Sequence, residues 1–116
     1  MEKIILVVED DDTLRKMLTE VLSFNYLVKS ASNGEEALDI LRLGNICLII
    51  SDFQMPVMNG LTFFNTILSD ENLRNIPLIG VSGAGNKVDE FKKRSCVFLE
   101  KPFHIKDFLK KVEEAF

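Results

Sequence analysis

Several features are scarce in this 116-residue sequence, and each scarcity removes a class of function. No apolar run approaches the roughly 18 residues that a membrane-spanning helix requires. The start, MEKIILVVEDDD, lacks the zones of a signal peptide. The two cysteines, Cys47 and Cys96, lack metal-ligand spacing, so we interpret them as packing residues in a reducing compartment. His104, the single histidine, is interpreted as a helix cap or surface residue. A cytoplasmic protein without a membrane partner is therefore expected.

Basic residues are also fewer than acidic ones. Fourteen lysines and arginines face 18 acidic residues, which gives a net charge of −4. A protein that binds nucleic acid directly needs a basic face for the phosphate backbone, so no such partner is expected. The length and the 47% hydrophobic content predict one globular domain spanning residues 1–116.

Apolar runs alternate with amphipathic or charged stretches along the chain. The predicted strands are Ile4–Val8, Tyr26–Ala31, Cys47–Ile50, Pro77–Ser82 and Val97–Leu99. Continuous apolar runs are typical of strands buried on both faces, and their alternation with helices indicates a parallel sheet covered on both sides. The fold class is therefore a doubly wound α/β domain.

The intervening stretches carry helix signals. The first shows i, i+3, i+4 spacing and a cap at Asp11 or Asp12; its predicted inner face is Leu14, Met17, Leu18, Val21 and Leu22. Asn33 and Gly44 bracket a second helix, and residues 60–68 form a third. Ser69–Asn75 is predicted to be a polar loop. Lys87–Arg94 is a short charged candidate, and the last helix buries Ile105, Phe108, Leu109 and Val112.

Polar residues follow the apolar runs where function collects in such sheets, outside the carboxyl ends of the strands. These residues are Glu9, Asp10, Asp52, Ser82, Gly83 and Lys101. Three clustered carboxylates repel one another and need a counter-charge. A hard divalent cation such as Mg²⁺ prefers oxygen ligands, and Lys101 adds a fixed positive charge. Such a set suits phosphoryl transfer to a nucleophilic carboxylate, Asp52.

Four motifs reinforce this interpretation, and they stand in order along the chain. They are ILVVEDD at Ile5–Asp11, SDFQMPVMNG at Ser51–Gly60, IGVSG at Ile79–Gly83 and FLEKPF at Phe98–Phe103. Over essentially its whole length the chain resembles the receiver domain of two-component response regulators. The resemblance implies a flavodoxin-like, five-stranded parallel sheet with strand order 2-1-3-4-5.

The resemblance also implies residue roles. Asp52 is the expected phosphoacceptor for a histidine kinase or histidine phosphotransfer protein. The expected Mg²⁺ ligands are Glu9, Asp10, Asp52 and the backbone carbonyl of Gln54. The expected phosphate-binding residues are Ser82, Gly83 and Lys101, and the expected switch residues are Ser82 and Phe98. The Lys101–Pro102 peptide bond is expected to be cis.

The implied function is a phosphorelay switch rather than an enzyme, with at most self-phosphorylation from small donors and self-dephosphorylation. Partner binding is expected through the face from the fourth strand to the last helix, and the downstream effector is not indicated. Residues 83–96 are shorter than in the family, so a phosphate-independent interaction module is the alternative. An aspartyl-phosphate hydrolase is disfavoured because Gln54 stands where its general acid is needed. A flavodoxin-type cofactor binder lacks its phosphate loop here.

Overall fold

The computed structural model describes residues 3–52, 60–82 and 97–116. Its strands are β1 Ile4–Val8, β2 Leu27–Ala31, β3 Ile46–Asp52, β4 Leu78–Ser82 and β5 Val97–Glu100. The helices in the described ranges are α1 Asp12–Ser23, α2 Gly34–Arg42, α3 Gly60–Ser69 and α4 Ile105–Glu114. The helix predicted at Lys87–Arg94 lies outside the described residues. None of these four helices is long and apolar enough to cross a membrane.

The five strands form one parallel sheet in the order β2-β1-β3-β4-β5, which confirms the expected topology. Parallel pairing aligns the carboxyl ends of the central strands. Asp52 at the end of β3 is in register with Val81 of β4, and Ser82 is in register with Glu100 of β5. The register therefore brings the ends of β3, β4 and β5 to one edge of the sheet.

Each face of the sheet has its own apolar core. Leu6 and Val8 of β1 point into the core beneath α2 and α3, whereas Ile5 and Val7 point into the core beneath α1 and α4. This alternation follows from the two-residue period of a strand. Because both faces are buried, the central strands read as continuous apolar runs, as the sequence predicted.

One expectation about side-chain burial was wrong, and one core residue was not predicted. Leu73, in the stretch predicted to be a polar loop, is only 5% exposed and packs in the core beneath α2 and α3. Met17 was placed on the inner face of α1 but is 39% exposed. The inner face of α1 centres on Leu18 and Leu22, which are fully buried, and Met17 lies on the margin of that face.

Two predicted strand ends were also too early. β3 continues past Ile50 through Asp52, and β5 continues past Leu99 through Glu100. The added residues are polar, so the apolar pattern stopped short, yet their backbones still pair with the neighbouring strand. Asp52 is thus held in a strand rather than in a loop.

Side-chain caps begin α1 and α2, as predicted. Asp11 Oδ1 accepts a hydrogen bond from the Leu14 N–H at 3.1 Å, and Asn33 Oδ1 accepts one from the Glu36 N–H at 3.0 Å. Glu36 Oε1 in turn accepts hydrogen bonds at 2.7 Å from the N–H and the hydroxyl of Ser32. These reciprocal bonds fix the start of α2.

We expect Asn33→Ala to lower the free energy of unfolding by about 1 kcal/mol, because the Glu36 N–H loses its acceptor. Urea denaturation monitored by circular dichroism measures the change. Asn33→Ser is the matched control, since serine also caps helices, and it should retain most of the stability. Equal losses in both variants would contradict a capping role.

Candidate functional site

Lys101 joins two acidic side chains at the carboxyl edge of the sheet. Its Nζ donates hydrogen bonds to Glu9 Oε1 and Asp52 Oδ2, each at 3.1 Å. Glu9 and Asp52 are 2% and 5% exposed. A buried carboxylate is stable only with a charge partner or hydrogen bonds, and Lys101 gives both acids such a partner.

Glu9 is held through its backbone as well as its side chain. Its N–H donates to the Ala31 carbonyl at 3.0 Å, which extends the pairing of β1 with β2 by one residue. Its Oε2 accepts a hydrogen bond from the Asp11 N–H at 3.1 Å. The loop after β1 therefore folds back over the Glu9 carboxylate and fixes its direction.

Asp10 completes an acidic cluster with Glu9 and Asp52. One carboxylate oxygen from each of the three residues lies within 4.8 Å of the others. Asp10 is exposed, whereas its two partners are buried, so the cluster opens to solvent on one side. Carboxylate oxygens at this spacing fit a hard divalent cation, which tolerates water as its remaining ligands.

The environment shifts the proton affinities of two site residues. Burial raises the pKa of Glu9 to about 7; the nearby Asp52 and Asp10 add to the rise, while the Asp11 N–H and the Lys101 ammonium oppose it. Burial alone would lower the pKa of Lys101, but its hydrogen bonds to Asp52 and Glu9 outweigh burial and raise it. Lys101 is therefore a firmly held cation, while Glu9 exchanges its proton near neutral pH.

We expect Glu9 to reduce the stability of the metal-free protein as the pH rises from 4.5 to about 7. In this window the unfolded chain has lost the Glu9 proton while the folded chain retains it, so deprotonation favours unfolding. The slope approaches about 1.4 kcal/mol per pH unit. Urea denaturation across this range, compared with Glu9→Gln, isolates the contribution. Parallel stability curves for the two proteins would contradict the raised pKa.

The remaining predicted site residues lie only partly within the described residues. The backbones of Ser82 and Phe98 lie in β4 and β5, and Ser82 ends its strand beside Glu100. Gln54 and Gly83 fall outside the described residues, as do the side chains of Ser82 and Phe98. The Lys101–Pro102 peptide bond is cis.

Arg15 was not singled out from the sequence, although it contacts the acidic loop. Its Nη1 donates to the Glu9 carbonyl at 2.9 Å, and its Nη2 forms an ion pair with Asp12. A sequence signal existed: an arginine one turn into a helix can reach back to an acidic residue three positions earlier. The hydrogen bond from Arg15 to the Glu9 carbonyl has no comparable signature in the sequence.

Known proteins share both the sequence pattern and the fold. A family model for the response regulator receiver domain matches residues 5–113. The polar-differentiation response regulator DivK of Brucella anthropi is 31% identical, with 97% of this chain and 95% of DivK covered.

Solved structures agree with that match. The chemotaxis response regulator CheY4 of Vibrio cholerae has a TM-score of 0.90 and 27% identity, with both chains fully covered. The response regulator TrrA of Thermotoga maritima, solved in complex with Mg²⁺–BeF, has a TM-score of 0.87 and 28% identity over 98% of this chain and 99% of TrrA. The chain belongs to the response regulator receiver domain family of two-component signalling.

Proposed function

We propose that this receiver domain is a Mg²⁺-dependent phosphoacceptor switch in the cytoplasm, and that Asp52 takes the phosphoryl group from a histidine kinase or histidine phosphotransfer protein. The observation that carries the proposal is the Lys101 ammonium, bound at 3.1 Å to both the Asp52 and the Glu9 carboxylates. A lysine in an ordinary surface turn would not be held between two buried carboxylates. A site in which an aspartate acquires a phosphoryl group requires such a fixed positive charge.

The transfer follows from the chemistry of a carboxylate nucleophile. An Asp52 oxygen attacks the phosphorus of a phosphohistidine and forms a P–O bond. The P–N bond breaks, and its electron pair returns to the imidazole of the donor. Lys101 offsets the negative charge on the phosphoryl oxygens, since its ammonium is already placed beside Asp52. The product is an aspartyl phosphate.

The acidic cluster fits the cation that this chemistry needs. The side chains of Glu9, Asp10 and Asp52 would hold Mg²⁺. The family resemblance adds the backbone carbonyl of Gln54 as a further ligand. A Mg²⁺ ion held by these residues would neutralise charge on the transferring oxygens. The relative TrrA was solved in complex with Mg²⁺–BeF, which supports the proposal that this chain also binds Mg²⁺.

The response to phosphorylation is expected at β4 and β5. Ser82 and Gly83 would contact the phosphoryl group, and Phe98 would change position with Ser82. Ser82 at the end of β4 is in register with Glu100, two residues after Phe98 on β5, so a displacement at the end of β4 would be transmitted to β5. The phosphoryl group shifts the population toward the state that binds it better. Partner binding then changes at the face formed by β4, β5 and α4.

Intact mass spectrometry tests the phosphoacceptor directly. The protein is incubated with Mg²⁺ and acetyl phosphate, beside Asp52→Asn and beside a sample in EDTA. We expect one phosphoryl group on the wild type and none in either control. If neither acetyl phosphate nor a phosphorylated phosphotransfer protein labels the wild type, the proposal fails and a phosphate-independent binding module replaces it.

A further inference from the structure

We propose that Arg15 is a positioning residue of the cation site: it fixes the Glu9–Asp10 peptide and so presents both carboxylates in the geometry that a divalent cation requires. This inference rests on the proposed function, because it concerns the Mg²⁺ that the acidic cluster would hold. Arg15 itself does not contact the cation. It acts through the backbone of two of the expected ligands.

The Arg15 guanidinium is anchored at two points. Its Nη1 donates to the Glu9 carbonyl at 2.9 Å, and its Nη2 pairs with Asp12 in the first turn of α1. The side chain is 19% exposed, whereas Asp12 is 76% exposed. Because a guanidinium is planar and presents its donors in a rigid fork, two simultaneous bonds set its orientation. Arg15 therefore ties the end of β1 to the start of α1.

The bond acts where the strand no longer holds the chain. The Glu9 N–H makes the last contact with β2, at the Ala31 carbonyl. The next peptide unit contains the Glu9 carbonyl and the Asp10 N–H in one plane. Holding that carbonyl restricts both the ψ angle of Glu9 and the φ angle of Asp10. Asp10 is exposed, and this restraint on its backbone limits the positions that its carboxylate can reach.

An electrostatic role and a positioning role for Arg15 predict opposite changes in Mg²⁺ affinity when Arg15 is replaced. A positive charge close to a cation site repels the cation, so charge alone predicts that removing Arg15 tightens Mg²⁺ binding. Positioning predicts weaker binding, because the acids lose their fixed arrangement. Removing an outer partner of a metal ligand typically costs 10- to 100-fold in affinity. The sign of the change therefore separates the two explanations.

Calorimetric titration of the full chain with Mg²⁺ measures this sign. We expect Arg15→Met to raise the dissociation constant roughly tenfold. Arg15→Lys keeps the charge but not the two-pronged contact, and it should weaken binding to a similar extent. Lys16→Met is the matched control, since Lys16 is the next residue of α1, carries the same charge and is exposed. It should bind Mg²⁺ as tightly as the wild type or slightly more tightly.

A second measurement needs no metal. In EDTA, amide hydrogen exchange of Asp11, whose N–H is bonded to Glu9 Oε2, should quicken in Arg15→Met and remain unchanged in Lys16→Met. Unfolding curves of both variants confirm that each is folded at the titration temperature. Unchanged or tighter Mg²⁺ binding by Arg15→Met would overturn the inference, even if the variant were less stable.

The two proposals fail in different ways. If the wild type binds Mg²⁺ and is labelled on Asp52 while Arg15→Met matches it, only the role of Arg15 fails. If the wild type neither binds Mg²⁺ nor accepts a phosphoryl group, the proposed function fails first. At saturating Mg²⁺ the labelling rate of Arg15→Met should return toward that of the wild type, since Arg15 acts on the affinity alone.

Discussion

Lys101→Met is expected to lower the free energy of unfolding of the metal-free protein by about 2 to 3 kcal/mol at pH 8, and by clearly less at pH 5.5. The substitution removes the ammonium that bonds both Glu9 and Asp52. A buried ion pair that loses one partner leaves an uncompensated charge, which costs about 3 to 5 kcal/mol when burial is complete. Lys101 is 28% exposed, so solvent reduces the loss.

The pH dependence follows from Glu9. With Lys101 present, the pKa of Glu9 is about 7, and the loss of the ammonium raises it further. At pH 5.5 Glu9 is protonated in either protein, so the variant loses no compensation of a Glu9 charge. At pH 8 the Glu9 carboxylate of the wild type is ionised and depends on Lys101.

Urea denaturation in EDTA at the two pH values tests this expectation. Lys106→Met, which removes an exposed lysine of α4, is the control and should change little at either pH. The loss should also shrink in a Glu9→Gln background, because the two residues interact. A loss of the same size at both pH values would show that Lys101 stabilises the fold by packing rather than by charge.

Phe108→Ala is expected to cost about 3 to 5 kcal/mol, since Phe108 is fully buried beneath the sheet. It should also disturb the site. The ring of Phe108 stacks on that of Phe103 with centroids 5.6 Å apart, and Phe103 lies two residues after Lys101. Without this support the Lys101 segment loosens, its bond to Glu9 weakens, and the pKa of Glu9 rises above about 7.

Phe63→Ala is the matched control, because Phe63 is equally buried but lies in the other core, beneath α2 and α3. It should lose similar stability while the pKa of Glu9 stays near 7. Urea denaturation gives the stabilities, and an NMR pH titration of the Glu9 carboxyl carbon gives the pKa. The same Glu9 pKa in both variants would refute the link from Phe108 to the site.

The sequence predicted the fold well where burial dictates residue type. β1, β3 and β4 are buried on both faces, so their sequences are continuous apolar runs that identified them as strands. Strand ends were less predictable, because pairing of Asp52 with Val81 depends on the register of a neighbour and not on apolarity. Leu73 was missed for a related reason. A single apolar residue among polar ones forms no helical or strand periodicity that a sequence pattern could detect, although Leu73 packs in the core.

The site was predictable to the extent that topology determines it. Glu9, Asp52 and Lys101 meet because parallel strands bring their carboxyl ends to one edge, and the structure shows the bonds between them. The role of Arg15 was not predictable, because its acceptor is a backbone carbonyl, which every residue type provides equally. Sequence patterns report which side chains suit a site, and they say little about what holds the backbone between them.

The bond between Lys101 and the two acids has a consequence for biosynthesis. Lys101, whose ammonium bonds both acids, lies 92 residues after Glu9 and 49 residues after Asp52. At about 5 to 20 residues per second, a ribosome adds Lys101 roughly 2 to 10 s after Asp52. A nascent chain that ends before β5 can align β1 with β3, but it brings two carboxylates together with no lysine between them. Without Lys101 this approach costs free energy, as repulsion when Glu9 is ionised and as proton uptake when it is not, so we expect β1 to dock weakly on β3 until the C-terminal segment has emerged.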